Sequence, residues 1–155
     1  MVKTMSNKAI MVTGGFDPLH MGHVELIENA AEYGDVLVII NSDEWLMRKK
    51  GYVFMPLRER IIIMSALQDV RFVFPITICA GSDKDDTAIA AIREFKPDYF
   101  ANGGDRTKEN VPEQAICDEL EVEMLWGIGG ENKPQSSSWL VNNAVEQMRQ
   151  NGPDA

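Results

Sequence analysis

No apolar run in this 155-residue sequence approaches the ~20 residues that a membrane-spanning helix needs, so no such helix is expected. Cysteine is scarce too. Cys79 and Cys117 stand far apart, without CxxC or Cys/His spacing, which argues against a zinc site or a disulfide framework and leaves two buried structural thiols. An excess of positive charge is also missing. With 15 Lys and Arg against 24 Asp and Glu the net charge is -9, and a nucleic-acid surface, which needs clustered Lys and Arg over a broad face, is not expected. Met1–Ala9 carries two lysines but neither a long apolar stretch nor a cleavage-site pattern, so the sequence reads as cytoplasmic.

The composition, 45% hydrophobic and 25% charged, and the length suit one globular domain over 1–155, with 1–8 as a lead and 151–155 as a frayed tail. Short apolar runs alternate with helical stretches, which predicts an α/β domain with a mainly parallel sheet. Strands are expected at 9–13, 36–40, 70–78, 98–101 and 123–126, and helices at 22–33, 56–67, 86–95, 112–120 and 137–150. Residues 41–55 read as a polar, basic connection. Met55 and Met64 read as fillers, and Trp139 as a core contact of the last helix. In sheets of this kind ligands bind at the carboxyl ends of the strands, so the loops after Thr13, Ile40, Ala101 and Trp126 are the places to look.

The first of those loops is the most informative. In Thr13-Gly-Gly-Phe-Asp-Pro-Leu-His-Met-Gly-His23, Gly14 and Gly15 allow a sharp turn off the strand, and Gly22 permits close backbone approach where a helix begins. A helix N-terminus offers unpaired N–H groups and a positive dipole end, which suit a phosphate. His20 and His23, the only histidines in the chain, meet at that point and can face one anion. The competing reading, in which Asp17 caps a helix and the histidines are incidental, leaves their clustering unexplained.

This segment resembles the signature of the HxGH nucleotidylyltransferase superfamily. Asn41-Ser-Asp43, the basic stretch ending near Lys49, Arg58-Glu-Arg60, Gly103-Gly-Asp105 and Gln135-Ser-Ser-Ser138 extend the likeness to its cytidylyltransferase-like branch. Within that branch the chain is similar to glycerol-3-phosphate cytidylyltransferases and to heptose-1-phosphate adenylyltransferase domains. The resemblance implies a Rossmann-like parallel sheet with helices on both faces, a homodimer, and Mg2+ accompanying CTP or ATP. It also implies a phosphorylated sugar or polyol as acceptor, with release of pyrophosphate. On this reading His20 and His23 donate hydrogen bonds to the reacting phosphates, and Thr13, the Gly14–Phe16 backbone, Asp17 and Gly22 shape their cradle. Lys49 and Arg60 grip phosphates. Asp105, beside Gly103, accepts from the amino group of the base, and Ser136 and Ser137 bind phosphate at the last helix. The stretch Gly130-Glu-Asn-Lys-Pro134 lacks an arginine found in cytidylyltransferases, and Gln68 replaces another, which tilts the donor toward ATP. The alternatives are a nucleotide-binding regulatory module without turnover and a dinucleotide-dependent oxidoreductase, the latter disfavoured because GxGxxG is missing.

Overall fold

The computed structural model describes residues 8–77, 87–103, 111–130 and 135–152. Five strands, β1 (Ala9–Gly14), β2 (Asp35–Ile40), β3 (Val70–Pro75), β4 (Tyr99–Ala101) and β5 (Glu123–Leu125), form one sheet in the order β3-β2-β1-β4-β5. Every pairing is parallel, with Ile10 opposite Val36 and Ile10 opposite Tyr99 fixing the centre. Parallel neighbours need crossovers, and the helices α1 (Met21–Ala30), α2 (Asp43–Lys50), α3 (Leu57–Ser65), α4 (Ile89–Phe95), α5 (Gln114–Glu119) and α6 (Ser137–Asn151) lie between or after the strands. The expected α/β Rossmann-like architecture is therefore the observed one.

Alternation along the strands divides the core into two layers. Ile10, Val12, Val36, Val38 and Ile40 meet Ile27 and Ala30 of α1 and Met64 of α3 on one face. Met11, Leu37, Ile39 and Phe100 meet Ala91 and Ile92 of α4 and Ile116 and Cys117 of α5 on the other. Strands buried on both faces explain the unbroken apolar run Val36–Ile40.

Three expectations change. Residues 41–55 are not a loop throughout, because α2 occupies Asp43–Lys50. Ser42 accepts the Trp45 N–H at 3.1 Å to cap it, and Asp43 and Glu44 open it while Arg48, Lys49 and Lys50 close it, each charge matched to its end of the helix dipole. Only Leu46 is buried, so the apolar period that reveals a helix is missing. β3 ends at Pro75, just beyond which the Ile76 N–H still donates to the Ile40 carbonyl at 2.9 Å. Trp139 is 59% exposed and does not serve the core, whereas Met64 is fully buried. Most other helix ends lie within three residues of the expected ones, among them the C-terminus of α1, which retracts to Ala30 with Ala31 as its C-cap, while α1 begins and α6 ends one residue further out. Cys79, Asp105 and Glu131, with almost all of the lead and tail, lie outside the described residues.

Candidate active site

The strand order reverses between β1 and β4, and the loops leaving them open a cavity of about 480 Å3 at the carboxyl edge of the sheet. Its wall includes residues after all four strand ends singled out in the sequence, together with Ile76, Thr87 and Ala88 from beyond β3.

The loop after β1 is held from every side. A Cβ on Gly15 would come within 2.9 Å of Leu46 Cδ2 and 3.3 Å of the Trp45 ring, so only glycine lets α2 pack against it. Phe16 adopts a left-handed φ of 53° and is buried, its ring edge-on to His23 at 5.0 Å. The fully buried Asp17 carboxylate accepts the N–H groups of Phe54 at 2.6 Å and Met55 at 2.5 Å, which pins the α2–α3 connection to the loop. Ser137 Oγ donates to the Pro18 carbonyl at 2.8 Å and brings the start of α6 to the same place.

His20 is the N-cap of α1. Its Nδ1 accepts the Gly22 N–H at 3.1 Å, while the Nδ1 of His23 accepts the His20 N–H at 3.2 Å, and the rings stack 3.8 Å apart. An Nδ1 that accepts carries no proton, so each neutral imidazole holds its proton on Nε2 and is a donor there. Backbone geometry thus sets the tautomer that a phosphate oxygen requires. The first turns of α1 and α6 line the same cavity, through Gly22 and His23 and through Ser136–Ser138. Lys49 and Lys50, in the last turn of α2, add cationic wall, with Lys49 Nζ 6.0 Å from the Trp45 ring centre.

Thr13, Gly14, Gly15, Phe16, His20, Gly22, His23, Lys49, Gly103, Ser136 and Ser137 are all brought onto the cavity wall. Asp17 is behind it and acts on the loop's shape. Arg60 is also elsewhere. It is fully buried, its Nε donating to the Met55 carbonyl (2.8 Å) and its Nη1 to the carbonyls of Gly15 (2.9 Å) and Asn41 (2.8 Å). Its Nη2 pairs with Asp43 at 2.6 Å. All its observed partners are protein groups that join two loops, α2 and α3, so the arginine expected on a phosphate is a strut beneath the cradle. Gln68 is exposed before β3 and is not on the wall.

Sequence reasoning did not single out Asn102, Glu113, Trp45 or Lys50, all on the wall. Asn102 is 1% exposed. Its side chain donates to the Leu125 carbonyl at 3.2 Å and its own carbonyl accepts the Ile128 N–H at 3.1 Å, tying β4 to the loop after β5. Its place just after β4 was the available signal. Glu113 had none, being one acid among several in a polar stretch.

A strand-turn-helix cradle at the switch point of a parallel sheet, with helix N-termini, lysines and two Nε2 donors around it, defines a nucleotide-binding α/β domain. The chain belongs to the cytidylyltransferase-like family, whose model matches residues 11–141. It is 35% identical over 129 residues to the bifunctional protein HldE of Photorhabdus laumondii and 34% identical over 127 residues to that of Sulfurimonas denitrificans. Those matches cover 81% and 77% of this chain but only 24% of each relative, so the chain spans about a quarter of their length. A lipopolysaccharide core biosynthesis protein from Thermoplasma volcanium shares the fold, with a TM-score of 0.61 at 23% identity over 77% of this chain and 93% of that one. A putative nicotinate-nucleotide adenylyltransferase from Vibrio parahaemolyticus does so as well, at 0.57 and 17% over 90% and 86%.

Proposed function

We propose that this site transfers AMP or CMP from its triphosphate to a phosphorylated sugar or polyol and releases pyrophosphate. The observation that carries the proposal is the pair of stacked imidazoles, each with Nδ1 accepting a backbone N–H, an arrangement that leaves Nε2 to donate. A phosphate oxygen of the acceptor attacks the α-phosphorus in line. The acceptor is itself the nucleophile, so the protein's work is positioning and charge stabilisation. His20 and His23 donate to oxygens that gain charge in the transition state. Lys49, Ser136, Ser137 and the N-termini of α1 and α6 hold the remaining phosphate oxygens. Thr13 and Gly14–Phe16 set the cradle's floor, Gly103 flanks the base, and the role assigned to Asp105 is to accept from the base's amino group.

Mg2+ is proposed as the companion of the triphosphate, screening its charge. Among the described residues no group of three His, Cys, Asp or Glu is arranged to hold a metal. ATP is placed ahead of CTP on the strength of the arginine-free stretch 130–134 and Gln68. Phosphorylated metabolites and nucleoside triphosphates also make the cytoplasm the proposed compartment. A homodimer is proposed with it, supported by the open β3 edge of the sheet with Phe72 exposed on it and Ile62 and Ile63 exposed on α3. The test is ATP and CTP, each against phosphorylated sugars and polyols, scored by pyrophosphate release. Nucleotide binding without release under every acceptor would instead make the chain a regulatory module.

A further inference from the structure

Glu113 is the only carboxylate on the cavity wall among the described residues. It is 3% exposed, and its Oε1 accepts the Ala88 N–H at 3.1 Å, which fixes the group in place. The wall's lysines, imidazoles and serines suit a triphosphate. A carboxylate repels one, and it belongs with a part of a ligand that donates hydrogen bonds.

Its position separates it from the histidines. Glu113 is the N-cap of α5, whose Ile116 and Cys117 belong to the core layer on the α4 side of the sheet, whereas α1 packs through Ile27 and Ala30 into the other layer. The cavity thus spans the sheet edge, from a phosphate-binding pole at α1 to a carboxylate pole at α4 and α5. Thr87 and Ala88 from the post-β3 segment and Ile76 share the second pole's wall, and the Gly103 and Gly129–Gly130 loops of β4 and β5 are left for the nucleoside.

Resting on the transferase reading above, we propose that Glu113 determines specificity for the acceptor. Its carboxylate accepts hydrogen bonds from hydroxyl groups of a sugar or polyol whose phosphate lies toward His20 and His23. A carboxylate that accepts from hydroxyls favours acceptors that carry them, through charge-assisted hydrogen bonds that acceptors lacking them cannot make.

The test uses the full chain and Glu113→Gln, which preserves size and an acceptor for Ala88 N–H. Each is titrated calorimetrically with ATP, CTP, inorganic phosphate, phosphocholine, glycerol 3-phosphate and glucose 1-phosphate. In the native chain at least one of the two hydroxylated phosphates is expected to bind about tenfold or more tightly than inorganic phosphate, as a charge-assisted hydrogen bond allows. Glu113→Gln should erase that advantage while leaving ATP and CTP affinity unchanged. Should Glu113→Gln not fold, Glu113→Asp, which retains the charge on a shorter arm, should reduce the same ratio. An unchanged ratio, no advantage over phosphate in the native chain, a preference for phosphocholine, or parallel loss of nucleotide affinity, which would place Glu113 on the nucleoside, each overturns the assignment. If the hydroxyl preference holds but no acceptor supports pyrophosphate release, the transferase reading fails and Glu113 is left as a residue that recognises hydroxylated phosphates rather than an acceptor.

Discussion

His20 serves α1 and the proposed chemistry through different ring atoms, Nδ1 as a cap and Nε2 as a donor. The two can be separated. His20→Ala removes both and should lower stability by about 0.5–2 kcal/mol as a lost cap does. His20→Asn, which restores a strong N-cap side chain, should regain that stability in urea denaturation while kcat stays at least ~100-fold below the native value. Recovery of turnover with the cap would reduce His20 to a structural residue. Arg60 and Lys49 make the opposite contrast. Arg60→Met leaves Asp43 and three carbonyls without their partner and should destabilise by about 3–5 kcal/mol. Lys49→Ala should leave thermal stability within about 0.5 kcal/mol and weaken nucleotide binding by about 1.5–3 kcal/mol, read by calorimetry. The residue types at Arg60 and Lys49 were equally suggestive in the sequence. What distinguishes them is depth: Arg60 is buried where four partners converge, and a one-dimensional pattern does not encode that convergence.

Element α2 illustrates which local structure a sequence conceals. Its evidence is entirely at its ends, in Ser42, the ordered charges and Gly51, because a helix lying on the surface with one buried residue has no apolar stripe to display. Gly51 closes it with φ of 81° and donates to the Met47 carbonyl at 3.0 Å. Gly51→Ala should therefore lower stability by about 1 kcal/mol, the strain of a left-handed non-glycine residue, with little change in nucleotide affinity. Gly15→Ala differs, since its Cβ meets Leu46 and Trp45. Overpacking there should lower stability by about 1–3 kcal/mol and should reduce turnover too, because the displaced loop carries the cradle. β1, β2 and the segment Gly14–His23 were legible for a physical reason. A strand buried on both faces must be continuously apolar, and a tight phosphate turn must carry glycines.

At the scale of the whole molecule, two core layers on one parallel sheet leave the cavity at the carboxyl edge of the strands, where the sequence analysis expected it. Glu113 reaches that cavity only through the tertiary fold, which is why no local signal announced it. The α4–α5 layer has a testable electrostatic signature. Burial, reinforced by the Glu113 and Asp118 carboxylates, pushes the Cys117 thiol from 9.0 up to about 11. Between these values the unfolded chain releases a proton that the folded chain keeps. The thiol's contribution is therefore fully present below about pH 9 and is lost as pH rises through about 11, by at most about 1.4 kcal/mol per unit. Urea denaturation from pH 8 to 11 should show a steeper decline for the native chain than for Cys117→Ala, and parallel declines would contradict the assignment. The central claim concerns the cradle itself, and pyrophosphate release tests it most directly. The native chain with Mg2+, ATP or CTP and a phosphorylated sugar or polyol should release one pyrophosphate per nucleotidyl product, and His20→Asn/His23→Asn, folded and still binding nucleotide, should release at least ~100-fold less. Equal rates from the two proteins would contradict the account.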